Sequence, residues 1–158
     1  MMGYDIVDKS VGYGNIDDTA SDDTILRHIR EGFIADATVT VVLIGPCTWQ
    51  RKYVDWEIAS SLRDTEANPI CGLLGILLPN HPDYGKPRYT PRIIPPRLAD
   101  NLEGDYPFAS LHDWSENPGA VQSLIHQAFK KRDSIRPDHR RPLFRRNRSG
   151  NCSYGWSK

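Results

Sequence analysis

Several broad classes of function are excluded by what this sequence lacks. It holds three cysteines in 158 residues, Cys47, Cys71 and Cys152, an odd number, far apart and in no Cys-x-x-Cys spacing. That usage fits neither a disulfide scaffold nor a zinc finger, and it predicts reduced thiols in a cytoplasm. No apolar run approaches the ~20 residues of a bilayer span. The N-terminus, Met1-Met-Gly-Tyr-Asp5, has neither the basic nor the apolar region of a secretory signal. A cytoplasmic protein with no membrane partner is therefore expected. Net charge is also missing: twenty Lys and Arg balance twenty Asp and Glu, which argues against a bulk electrostatic nucleic-acid binder. The balance is uneven, since Arg132 to Lys158 holds eight basic and two acidic residues and the chain before it carries the opposite excess. Nucleic-acid contact through that arginine-rich tail is the weakest of the readings considered. There are no internal repeats.

What is present is an alternation of two periodicities. Thr38-Val-Thr-Val-Val-Leu-Ile-Gly45 and Gly72-Leu-Leu-Gly-Ile-Leu-Leu78 are continuous apolar runs closed by Pro46 and Pro79. Such runs predict strands buried on both faces, as in a parallel sheet covered by helices. Tyr4-Asp-Ile-Val7 and Phe108-Ala-Ser-Leu111 are shorter candidates. Between them lie helical patterns. Ser21 is placed as an N-cap ahead of Asp22 and Asp23, with Ile25, Leu26, Ile29 and Phe33 recurring at helical spacing. A second helix spans Lys52 to about Arg63 with Val54, Ile58, Ser61 and Leu62 inward. A third opens with Asn117 and Pro118 and carries Val121, Leu124, Ile125, Ala128 and Phe129. The order is β-α-β-α-β-loop-β-α, an α/β architecture. Residues 79–107 hold seven of the twelve prolines and form an excursion too long for a plain connector. Residues 132–158 are expected to be an extended or mobile basic tail with Trp156 pinned at the surface, leaving residues 1–131 as the domain proper.

In open parallel sheets ligands bind at the carboxyl ends of strands. That rule nominates the segment from Asp8 to Asp18, the segment from Pro46 to Glu57, and the proline-rich loop. Gly12-x-Gly14 lacks the third glycine of a dinucleotide fingerprint, and the acids Asp17, Asp18, Asp22 and Asp23 crowd it. Those acids read as helix-start residues rather than as metal ligands. The histidines make no catalytic constellation. In Arg51-Lys-Tyr-Val-Asp-Trp-Glu57, Glu57 falls beside the inward positions Val54 and Ile58, so its carboxylate lies at the edge of a buried face. Carboxylates there are enriched in function. From the residues alone, a surface Arg/Lys–Glu pair on an amphipathic helix is the favoured account.

Taken together, Asp8-Lys-Ser-Val-Gly12, Ile16-Asp-Asp18, Ser21-Asp-Asp23, the Thr38–Gly45 run and Arg51-Lys with Val54-Asp-Trp-Glu-Ile58 resemble the bacterial TIR-like domain family of the Thoeris antiphage defence system. Gly72 to Leu98 and Asn147-Arg-Ser-Gly-Asn-Cys-Ser153 resemble its longer members. The resemblance implies a flavodoxin-like TIR fold, a mostly parallel sheet flanked by helices. It also implies NAD+ as substrate, with no permanently bound cofactor and no metal. Enzymes of this kind release nicotinamide as hydrolases or cyclases, and a cyclic ADP-ribose-type product signals to a separate NAD-consuming effector. Only Glu57 falls at the position of the family's catalytic glutamate. Arg51, Trp56, Asp8 and Ser10 are the residues expected to approach the nucleotide, although Trp56 also reads as core and Asp8 as a loop cap. The family's first strand–helix unit has no counterpart ahead of Asp8. The alternative function is accordingly a non-catalytic TIR interaction module, truncated at its N-terminus, that self-associates through Lys9 to Asp18 and the helices.

Overall fold

The computed structural model of the protein describes residues 11, 14, 16–66 and 68–157. The strand expected at Tyr4–Val7 lies outside them. The described chain runs α1 (Asp22–Gly32), β1 (Val39–Ile44), α2 (Lys52–Ser61), β2 (Gly72–Leu77), α3 (Pro96–Asp100), β3 (Ser110–Asp113) and α4 (Pro118–Lys131). Among the described residues the strands form one parallel sheet in the order β1-β2-β3. Val39 stands opposite Gly72 and Ile44 opposite Leu77, while Leu74 stands opposite Ser110. No helix among the described residues is long and apolar enough to cross a membrane.

The helix starts follow their caps. The Ser21 side chain accepts from the Thr24 N–H, and the Asn117 side chain accepts from the N–H groups of Gly119 and Ala120. One sheet face carries Val42, Ile44, Leu73 and Leu77, which pack with Ile58 and Leu62 of α2 and Leu98 of α3 into the main core. The other carries Leu74 and Ile76, covered by Ala128, Leu124 and Ile125 of α4. All six residues of β2 are buried, as a strand between two helical layers requires.

β1 departs from that expectation. Its Val42 and Ile44 are buried, but Val41 and Leu43 are 37% and 50% exposed. Among the described residues β1 is an edge strand, and α4 covers only its start, at Val39, so one face of its far half meets solvent. α2 departs in the opposite sense. Ile58 and Leu62 face the sheet as read, yet Trp56 and Ala59 on the other side pack with Ile25 and Ile29 of α1. A helix between two layers has no free face, which a single inward stripe does not anticipate.

The proline-rich excursion is a folded insert. Ile93, Ile94 and Leu98 from it enter the main core. The buried His81 bonds Ile93 O through Nε2 at 3.1 Å and accepts the Asp83 N–H at Nδ1 at 3.1 Å, which makes it a structural brace with the proton on Nε2.

The C-terminal segment differs most from its expectation. It packs along α2 and the proline-rich insert, and Trp156 is buried with its indole N–H on Ile94 O at 2.8 Å. Gly155 makes this possible, since at φ 72° a Cβ there would lie 2.6 Å from the Arg92 side chain. The expectation of three reduced thiols is corrected as well: Cys47 and Cys152 form a disulfide, and only Cys71 is free. A separation of 105 residues hides such a pair from any spacing argument.

Candidate active site

β1 ends at Ile44, and the chain turns through Gly45-Pro46 and one 3₁₀ turn, Thr48–Gln50, into α2. The turn is held locally, with the Gly45 N–H donating to Thr48 Oγ1 at 2.9 Å. Arg51 stands at the N-cap of α2 but offers no side-chain cap, and it is exposed at the carboxyl end of the sheet. The cap comes from far along the chain: Asn147 Oδ1 accepts the Lys52 N–H at 2.8 Å.

One turn into α2 lies the half-buried Glu57. Its carboxylate accepts the main-chain N–H of Val11, a buried residue of the segment that follows Asp8 and Ser10. Asp8 and Ser10 themselves lie outside the described residues. The helix beneath Glu57 is fixed on β1, since the Ser61 hydroxyl donates to Glu57 O at 2.8 Å and stands 2.6 Å from Thr40 Oγ1.

Trp56 is placed differently from a nucleotide contact. It is 2% exposed, its Nε1–H donates to Phe144 O at 2.9 Å, and Tyr53 meets it edge-on at 5.3 Å. Lys52 Nζ lies 4.9 Å from the Trp56 ring centroid and pairs with Asp18 at 3.0 Å, fastening the acidic entry of α1 to the start of α2. The structure thus sets Val11 against Glu57, leaves Arg51 exposed at the N-cap of α2, and packs Trp56 against Ile25 and Ile29 of α1.

The aspartates read as helix-start residues have matching partners. Asp23 pairs with Arg63, Asp22 with Arg145 at 2.7 Å, and Asp17 holds Thr19. The two bonds from Thr19 keep the Asp17 carboxyl below its ordinary range. Among the described residues no group of three His, Cys, Asp or Glu side chains converges as a metal site.

Two supports of the site were not legible in the sequence. Asp55, on the far side of α2 from Glu57's environment at Val11, forms a fully buried pair with Arg97 of α3 at 2.9 Å and also accepts the Phe144 N–H. Asn147 caps α2 across a separation of 95 residues. No local signal marks either one, because their partners become neighbours only on folding.

A family model matches residues 2–83, just over half of the chain, and describes the TIR-like domain of the Thoeris protein ThsB. The chain belongs to this family. The TIR-like domain of ThsB thereby supplies its fold class, α/β and flavodoxin-like, with the parallel sheet and flanking helices as its described part. The match also places the protein in antiphage defence. It spans α1, β1, α2 and β2 with Asp8, Ser10, Arg51, Trp56 and Glu57, and stops before α3, β3, α4 and the C-terminal segment. No curated protein and no solved structure matches the chain significantly.

Proposed function

We propose that this TIR-like protein cleaves NAD+ at the nicotinamide–ribose bond, with Glu57 as the catalytic carboxylate and a cyclic ADP-ribose-type signal as product. The observation that carries the proposal is the setting of Glu57. It is a half-buried carboxylate in the helix that follows β1, and it accepts the main-chain N–H of the buried Val11. Departure of nicotinamide leaves an oxocarbenium-like ribose, and a preorganised carboxylate stabilises that positive charge as it develops. The exposed Arg51 is suited to a phosphate of the same substrate, with Asp8 and Ser10 on the segment that leads into Val11. Trp56 contributes packing beneath Glu57 rather than contact with the nucleotide.

The test is Glu57→Gln in the full chain. Glutamine can still accept the Val11 N–H, so the melting temperature should hardly move, whereas loss of the charge should lower nicotinamide release by ~10²–10³-fold. Cleavage retained by a folded Glu57→Gln protein would remove the catalytic assignment. A folded wild-type protein that never releases nicotinamide, alone or with phage-infected lysate, would remove the enzyme reading. The exposed Val41 and Leu43 on β1 favour the second reading, a non-catalytic assembly module, and that outcome together with self-association in sedimentation would select it.

A further inference from the structure

The last part of the chain lies antiparallel to the junction that carries Glu57. Phe144 bonds Asp55 and Trp56 of α2, Asn147 caps Lys52, and the Arg148 N–H donates to Gln50 O at 2.8 Å. Further on, Cys152 O accepts from Trp49 Nε1 at 2.9 Å, and Cys152 is bonded to Cys47, the residue three places after Ile44 of β1. The upper half of this strap, from Asn147 to Cys152, is held by single hydrogen bonds near the surface, and only the disulfide fixes it covalently. Cys47 is exposed and Cys152 half-buried, so a reductant reaches the bond directly.

We propose that Cys47–Cys152 is a redox-operated clasp that seats the strap on α2 and, when opened, uncaps the helix that carries Glu57. In the closed state Asn147 satisfies the first amide of α2 and the strap covers the turn at Thr48–Gln50. Opening is thiol–disulfide exchange. A dithiol reductant attacks one sulfur, forms a mixed disulfide and closes on itself, which leaves two protein thiols that have gained two electrons and two protons. Closing by a peroxide is the reverse balance: both thiols are oxidised to the disulfide and one hydrogen peroxide becomes two waters. The opened strap frees Lys52 N–H at the start of α2 and loosens the shelf beneath Glu57. The consequence for catalysis rests on the NAD+ reading above, whereas the clasp itself does not.

The test is amide hydrogen exchange on the full chain, untreated and after a dithiol reductant. The amides of Lys52 and Arg148 should exchange at least about tenfold faster in the reduced protein, while Leu74 in β2 stays unchanged. Cys152→Ser should show the fast pattern without reductant. Asn147→Ala should expose Lys52 alone while the disulfide remains. Thiol titration under denaturing conditions should find one thiol, Cys71, before reduction and all three after it. Equal exchange in the two states, or three thiols in protein treated with peroxide, would overturn the clasp. Nicotinamide release at equal rates in both states would refute control of Glu57 and leave the NAD+ reading standing. No release in either state, with exchange that still differs, would refute the NAD+ reading and leave the clasp standing.

Discussion

Asp55→Ala should be among the most damaging single substitutions in the protein, although Asp55 touches no proposed substrate group. Asp55 and Arg97 side chains are each 2% exposed, with Arg97 Nε at 2.9 Å from Oδ1 and an Nη at 3.2 Å from Oδ2. Oδ2 also accepts the Phe144 N–H at 2.9 Å. Removing one partner of a buried pair costs about 3–5 kcal/mol, because the remaining charge stays desolvated. An orphaned buried amide adds up to about 1–3 kcal/mol, without strict additivity. Two strap carbonyls, Arg141 O at 2.7 Å and Pro142 O at 3.1 Å, continue to solvate the guanidinium and hold the total down. The expected loss is therefore about 3–4 kcal/mol, or a fall in melting temperature of roughly 6–16 °C for a chain of this size. Urea unfolding followed by tryptophan fluorescence measures it directly. Asp55→Leu with Arg97→Met should recover much of the loss, since two apolar side chains leave no buried charge behind. An Asp55→Ala cost below about 1 kcal/mol, or a double variant as unstable as the sum of its singles, would refute the reasoning.

Gly72→Ala should destabilise by about 1–3 kcal/mol and displace α4, because the added Cβ would meet the Ala128 carbonyl, with its carbon at 2.6 Å. Thermal unfolding checks it, and an unchanged melting temperature would show that α4 does not pack here. Asp138 gives a pH dependence. Its hydrogen bonds from the Arg140 side chain and backbone hold its pKa down to about 2. The unfolded state therefore binds the proton first, so the stabilisation is present above about pH 4 and is lost as pH falls toward about 2. Arg140 is 89% exposed, which keeps the effect below about 1 kcal/mol. Asp138→Asn should flatten acid unfolding in that window, and an unaltered acid limb would contradict the assignment.

How much of this was legible beforehand depended on the range of the interaction. The Ser21 and Asn117 caps, the three helices and the strands at 39–44 and 72–77 rest on neighbours within a few residues, where propensity, capping and period act. The Val54-Asp-Trp-Glu-Ile58 block marked Glu57 because its chemistry and its place behind a strand are both local. Those same rules put Leu43 indoors and carry no mark of the buried Asp55–Arg97 pair. Whether a strand has a helix over each half, or a helix a second layer behind it, is settled only when distant segments meet. The strap is the clearest case. As sequence, residues 132–158 are a basic run with no apolar period, and nothing in them announces burial. In the folded chain Arg97 bonds Arg141 O, Asn147 caps Lys52 and Cys152 reaches Cys47. Each of these joins residues more than forty positions apart. Local sequence carries the strength of such a bond in the residue type, but only the tertiary path supplies the distance over which it can form.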